Sequence, residues 1–159
     1  MGKQISCHAA AAKEIRQYLK AKGIKARVRA KTYSMGSSVD VYVQEDINPA
    51  LAEELRLHCG QYQYGHFDGM IDLYEMSNVR DNIPQVKHVF VHVEYSDGLK
   101  QRVWDYIRDM YAGMQDAPAE YEQAGEYYSN QWHAWGSTLV HRILHDEKDV
   151  VWNGELSNV

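Results

Sequence analysis

Cysteine is scarce in this chain: only Cys7 and Cys59 occur among 159 residues, which excludes the disulfide framework on which small secreted domains rely. The opening residues Met-Gly-Lys-Gln-Ile-Ser lack the apolar run of a secretory signal, and no apolar stretch approaches the roughly 20 residues needed to cross a bilayer. A soluble cytoplasmic protein with free thiols and no membrane partner is expected. Spacings that announce chemistry are missing too. No glycine-rich phosphate loop runs into a helix, and no metalloprotease motif is present. A non-enzymatic role is therefore expected, with no catalytic residue, no cofactor and no metal. Internal repeats, low-complexity tracts and flexible linkers are likewise absent.

What is there begins with residues 24–44, where two runs of period-two alternation flank a Ser/Gly-rich turn and predict a β-hairpin. In the first strand Ile24, Ala26, Val28 and Ala30 share one face, and Lys25, Arg27, Arg29 and Lys31 share the other. Val39, Val41 and Val43 form the inward face of the second. The net charge of −5 is unevenly spread: residues 1–45 hold nine Lys/Arg against three Asp/Glu, residues 46–95 three against eight, and residues 96–159 five against eleven. A basic head sits on an acidic body. That asymmetry suits either a polyanion-binding patch or internal pairing of the basic strand.

Helical periodicity predicts α-helices over Ala9 to Lys22, capped by Ser6, and from Asn48-Pro49 to Gly60, where Asn caps the free amides and Pro costs no hydrogen bond. Residues 61–80 read as an ordered loop leading to an extended segment at Ile71 to Glu75. Gln85 to Tyr95 reads as a strand, with Val89, Val91 and Val93 opposite His88, Phe90, His92 and Glu94. Helices are expected over Asp97 to Met114 and Tyr127 to His145, then a loose tail in which Val150 to Trp152 docks or adds an edge strand. The order α-β-β-α-β-β-α-α gives an α+β fold, a small antiparallel sheet packed by helices. Residues 1–95 form its α+β core, and residues 96–159 a helical part packed on it as one structural unit.

The segments Tyr33-Ser34-Met35-Gly36-Ser37-Ser38-Val39-Asp40-Val41, preceded by Arg29, and His66-Phe67-Asp68-Gly69-Met70-Ile71-Asp72 resemble a large polyvalent protein associated domain over roughly residues 8–95. That family occurs in phage and conjugative-plasmid proteins, so the resemblance implies a mobile-element origin and a bacterial host cytoplasm. It brings no catalytic residues with it. By association it points to an anti-defence, anti-CRISPR-like role, with a host defence protein or its nucleic-acid complex as partner.

Two surfaces are candidates for that contact. Lys25, Arg27, Arg29 and Lys31, sharing a sheet face with Tyr42, His88, Phe90 and His92, would make a cationic, aromatic-dotted platform. It could take nucleic acid alone, meet an acidic protein surface, or be neutralised by Asp40 and Glu94 across the strands. In the C-terminal part, Tyr127, Tyr128, Trp132 and Trp135 beside Glu122 and Glu126 form an aromatic, acid-rimmed anchor, or else ordinary core. Weaker readings concern the Ser34–Ser38 turn as a phosphate cradle, His141 and His145 with Asp146 or Asp149 as metal ligands, a zinc site from Cys7-His8 and His58-Cys59, a Cys59–His66 nucleophile pair, and Asp68 or Asp72 as acid or base. For Cys59 an inert buried thiol is the stronger expectation, and for Asp68-Gly69 a turn.

Overall fold

The computed structural model describes residues 6–146 and 148–152, which divide after Glu94 into two compact units. The first contains α1 (Cys7–Ala21), β1 (Ala26–Tyr33), β2 (Gly36–Val43), α2 (Pro49–Gly60), β3 (His66–Asp68), β4 (Leu73–Glu75) and β5 (His88–Val93). Its three-stranded sheet has the order β1-β2-β5. The α+β reading holds, with one correction. The sheet is mixed: β1 and β2 are antiparallel, whereas β2 and β5 run parallel. The cause is connectivity, since a strand that follows its neighbour through a helix returns to the same end of the sheet. Alternation marks a strand's faces but carries no information on its direction.

The buried face of this sheet carries Val28, Val39, Val41 and Val43, with Val89, Val91 and Val93 packed beside them. Against it α1 sets Ala11, Ala12, Ile15 and Leu19, and α2 sets Ala52, Leu55 and Cys59. Gly23, at φ 71°, ends the first helix in the left-handed conformation that glycine tolerates best. At the start of α2, Asn48 Oδ1 accepts a 2.8 Å bond from the Leu51 amide, and Pro49 occupies the first turn. Ser6 precedes α1 without a side-chain cap bond. The loop expected over 61–80 contains a hairpin, β3 paired with β4 through Phe67 and Tyr74.

The second unit holds α3 (Asp97–Met110), a 3-10 turn (Tyr121–Glu126), a small ladder of β6 (Tyr128–Ser129) with β7 (Ala134–Trp135), α4 (Gly136–His145) and α5 (Lys148–Trp152). Trp104, Val103, Ile107, Leu139, Val140 and Ile143 form its core. Here the expected helix boundaries are corrected. The third helix stops at Met110, because Tyr111 is extended and Gly113 takes φ 75°. The last long helix starts at Gly136, not Tyr127: residues 128–135 turn back on themselves, and His133 lies at φ 50°. Gly136 is fixed by space, since a Cβ there would stand 2.7 Å from the Ala124 carbonyl oxygen and 2.8 Å from the Trp104 ring. Val150–Trp152 belong to α5, with Val151 buried, and form no edge strand. The tail beyond Trp152 lies outside the described residues.

Candidate functional site

The sheet's outer face is set by register. Cross-strand pairing aligns Arg27 with Tyr42 and His92, Arg29 with Asp40 and Phe90, and Lys31 with Ser38 and His88. Side chains of directly paired residues share a face, so nine residues from three strands make three rungs of one surface. The basic stripe and the aromatic stripe are thereby brought side by side, with β2 between them.

Contacts on that surface form a chain. The Arg27 guanidinium lies 4.7 Å from the Tyr42 ring centre, and Tyr42 stacks on His92 at 5.1 Å and 19°. His92 is 6.3 Å from Phe90, and Phe90 is 5.6 Å from His88, both pairs near parallel. His88 meets the edge of Tyr74, which meets Tyr64 in the same way. Tyr74 is held by its hydroxyl, which donates a 2.6 Å bond to the Lys87 carbonyl, while the Lys87 ammonium sits 5.2 Å over its ring. Phe90, at the middle of the array, is 46% exposed although it is a large apolar side chain in a strand. Burial, with help from Lys87, holds the His88 pKa below the usual imidazole value, so this member of the array favours its neutral form.

The cations divide into two groups. Lys31 donates to Asp40 at 2.9 Å, and this hydrogen bond and charge push the Lys31 pKa up. Asp40 is itself buried in the central strand, and pairing is what makes a buried carboxylate tolerable. Internal neutralisation, one of the readings of the stripe, therefore applies to Lys31. Lys25, Arg27 and Arg29 are exposed and have no ion pair among the described residues.

Other candidate residues fall apart or take structural roles. The Ser34–Met35 pair is a two-residue hairpin turn, and Lys87 Nζ donates to the Met35 carbonyl at 3.1 Å. Gly36 takes φ 154°, a conformation that side-chain-bearing residues rarely adopt, and a Cβ there would also press on the Lys87 chain at 2.7 Å, which together account for glycine in the motif. Tyr33 reaches the Ser37 carbonyl at 3.5 Å. Asp68 accepts from the Met70 amide at 2.8 Å and so builds the turn beside Gly69, while Phe67 projects as an exposed ring. Cys59 is buried and burial pushes its thiol up to about 11, the reverse of an activated nucleophile. His66 contacts Ser77 and Glu75 instead of Cys59. Among the described residues no group of three His, Cys, Asp or Glu is placed to hold a metal. His58 stacks on Tyr18 at 3.4 Å, and the His141 and His145 rings lie 4.1 Å apart. Asp149 lies outside the described side chains.

In the second unit Tyr127 is half-buried, packs near Trp104 and donates to Asp116 at 2.7 Å, so it belongs to the core. Tyr128 and Trp135 form an exposed edge-to-face pair at 5.2 Å. Trp132, also exposed, donates to the Ala112 carbonyl at 2.9 Å. Glu122 and Glu126 are exposed.

Sequence reasoning missed the residues that steady the platform's flank. Gln63 accepts from the Val89 amide at 2.8 Å and donates to the Gly65 carbonyl at 2.7 Å, tying the start of β5 to the hairpin. Asn78 donates to the Gln63 carbonyl at 2.9 Å, and Gln85 donates to the carbonyls of Gln61 and Asn78, both at 2.8 Å. Amides scattered through a loop carry no periodic signal.

Among the described residues no helix is long and apolar enough to cross a membrane. Comparison with curated proteins and with solved structures finds no match. Residues 7–100 match the family described as large polyvalent protein associated domain 29, a span that takes in both motif turns and every strand of the three-stranded sheet. The match covers more than half of the chain, which therefore belongs to the large polyvalent protein associated domain 29 family.

Proposed function

We propose that this protein is a non-catalytic binding module of a phage or plasmid, and that the outer face of its three-stranded sheet receives single-stranded nucleic acid. Family membership supports the mobile-element association. The observation that carries the ligand class is the continuous array Tyr42-His92-Phe90-His88, exposed at Phe90 and His92 and bordered by the unpaired Arg27 and Arg29. Phosphates meet the guanidinium groups while unstacked bases extend the ring array, a division of labour that a duplex, with its bases already stacked, does not offer. The overall acidity keeps the contact local to this face.

The test is a fluorescence anisotropy titration with a labelled 12-nucleotide single strand and the matching duplex. Tighter binding of the single strand, weakened in Phe90→Ala, supports the reading; equal or tighter binding of the duplex overturns it.

A second reading is favoured by a separate observation, the exposed Tyr128, Trp132 and Trp135 of the second unit. Large exposed aromatics are the anchors that protein interfaces use, and Trp132 is held in place by its bond to the Ala112 carbonyl. Under this reading the protein acts as a stoichiometric anti-defence inhibitor that docks on a host defence protein or its nucleic-acid complex. Capture of such a complex from host lysate, lost in Trp135→Ala, would support it, and capture unaffected by that change would overturn it.

A further inference from the structure

Among the described residues one edge of the three-stranded sheet is open: β1 pairs there only with β2, and the Gln44 amide donates to the Lys25 carbonyl at 2.9 Å, which marks Lys25–Gln44 as a hydrogen-bonded pair. Antiparallel pairs alternate, so Arg27, Arg29, Lys31 and Tyr33 also turn their backbone groups toward β2, whereas Ala26, Val28, Ala30 and Thr32 turn theirs outward. Among the described residues only the Val28 carbonyl of this outward set has a partner, the Arg16 guanidinium at 2.8 Å. Beside this edge lies a cleft of about 370 Å³ between α1 and the first half of β1. Its apolar wall is Leu19, Ile24 and Val28, and Arg16, Lys20 and Lys25 stand around it against a single carboxylate, Glu45.

We propose that this edge takes a fourth strand from an acidic protein segment, an extended peptide in which apolar residues alternate with Asp or Glu. The alternation follows from the two faces of β1. Peptide side chains on the inner face would enter the cleft over Leu19 and Val28. Those on the outer face would lie beside Arg27 and Arg29, which no carboxylate of the described residues engages, so that peptide carboxylates are attracted there. Backbone bonds supply affinity and the alternate side chains supply selectivity. Charge also decides against a second copy as occupant, because two β1 edges placed together would set the unpaired Arg27 and Arg29 against the same arginines of the other copy. The backbone edge and the cleft define this site independently of the ring array.

The probe is an acetylated, fluorescein-labelled octapeptide of alternating Val and Glu, matching the eight residues of β1, titrated by anisotropy against the full chain. Three further peptides replace Glu by Lys, N-methylate the Val residues, or N-methylate the Glu residues. Saturable binding of the Val/Glu peptide is expected, with the Lys peptide about tenfold weaker or worse. One methylated peptide should lose about tenfold or more, since its blocked N–H groups face the edge, and the other should bind as the parent does. Loss with methylated Val marks an antiparallel added strand, and loss with methylated Glu a parallel one. Lys20→Glu, on the exposed side of α1, should weaken the parent peptide, while Phe90→Ala should leave it unchanged and so separates this site from the nucleic-acid face. Equal binding of all four peptides, no binding of the parent, or a dimer in sedimentation that the peptide does not dissociate would overturn the proposal.

Discussion

Replacing Arg27 and Arg29 together by Ala tests the sheet platform more sharply than any single change. Both side chains are exposed and unpaired by carboxylates, while Lys31 is engaged by Asp40, so three cations, Lys25, Arg27 and Arg29, remain free for phosphates. For a single strand, each phosphate neutralised contributes about −0.7 to the slope of log K against log salt, giving about −2.1 for the native protein and about −0.7 for the double variant. If the electrostatic contribution vanishes near 1 M, the difference of about 1.4 makes the variant bind about 25-fold more weakly at 0.1 M salt and only about fourfold more weakly at 0.4 M. Folding should scarcely change, because the double variant gives up little beyond the Arg27 stack on Tyr42, worth about 0.5–1 kcal/mol at an exposed site. Anisotropy titrations with a labelled single strand at four salt concentrations, with thermal melts in parallel, read both quantities. An undiminished affinity, or a loss that stays constant as salt rises, would show that these arginines do not meet phosphates.

The remaining predictions concern packing and ionisation. Buried Cys59, its thiol pushed up to about 11, should react with a thiol reagent only after unfolding, whereas exposed Cys7 reacts at once; two fast equivalents per chain would refute the burial. Gly136→Ala should cost the second unit about 1–3 kcal/mol by driving a methyl into Trp104, read by tryptophan fluorescence in a urea titration, while Gly98→Ala, with open space around it, should be neutral or stabilising by about 0.5–1 kcal/mol. Burial holds His58 and His88 below the ordinary imidazole pKa. The folded first unit thus binds their protons less readily than the unfolded chain, so its stability is complete above about pH 6.5 and declines as pH falls toward the folded values. Protection of the β2 amides should fall from pH 7 to 5.5, so that their hydrogen exchange slows by less than the intrinsic rate does, and a His58→Gln, His88→Gln double variant should flatten that dependence.

Strand faces are legible in the sequence because alternation is a local code: Arg27, Arg29 and Lys31 against Val28 need no neighbour to be assigned outward. Caps are legible for the same reason, as at Asn48-Pro49. Strand direction is not, since the parallel course of β5 depends on where α2 carries the chain. Tyr127 to Trp135 looks helical because aromatic spacing imitates one face of a helix, but the chain there is set by Gly136 fitting under Trp104, a contact between residues 32 apart in sequence. At the candidate site, the rows Arg27-Tyr42-His92 and Arg29-Asp40-Phe90 exist only once the register is known. The amides of Gln63, Asn78 and Gln85 act through loop carbonyls, for which no spacing rule exists.

The hairpin of β3 and β4 interrupts the connection between α2 and β5, and its two stems are stitched at the neck. The Val86 amide donates to the Tyr62 carbonyl at 2.8 Å and the Tyr64 amide to the Val86 carbonyl at 3.1 Å. Residues 64–85 therefore form a closed lariat whose ends are already joined before the hairpin is considered. Closing a loop costs only about 0.6 kcal/mol more for each doubling of its length, so evolution can lengthen, shorten or exchange this segment while the layer of Val39, Val41 and Val43 stays as it is. The fold thus offers a mobile element a fixed sheet with a replaceable arm.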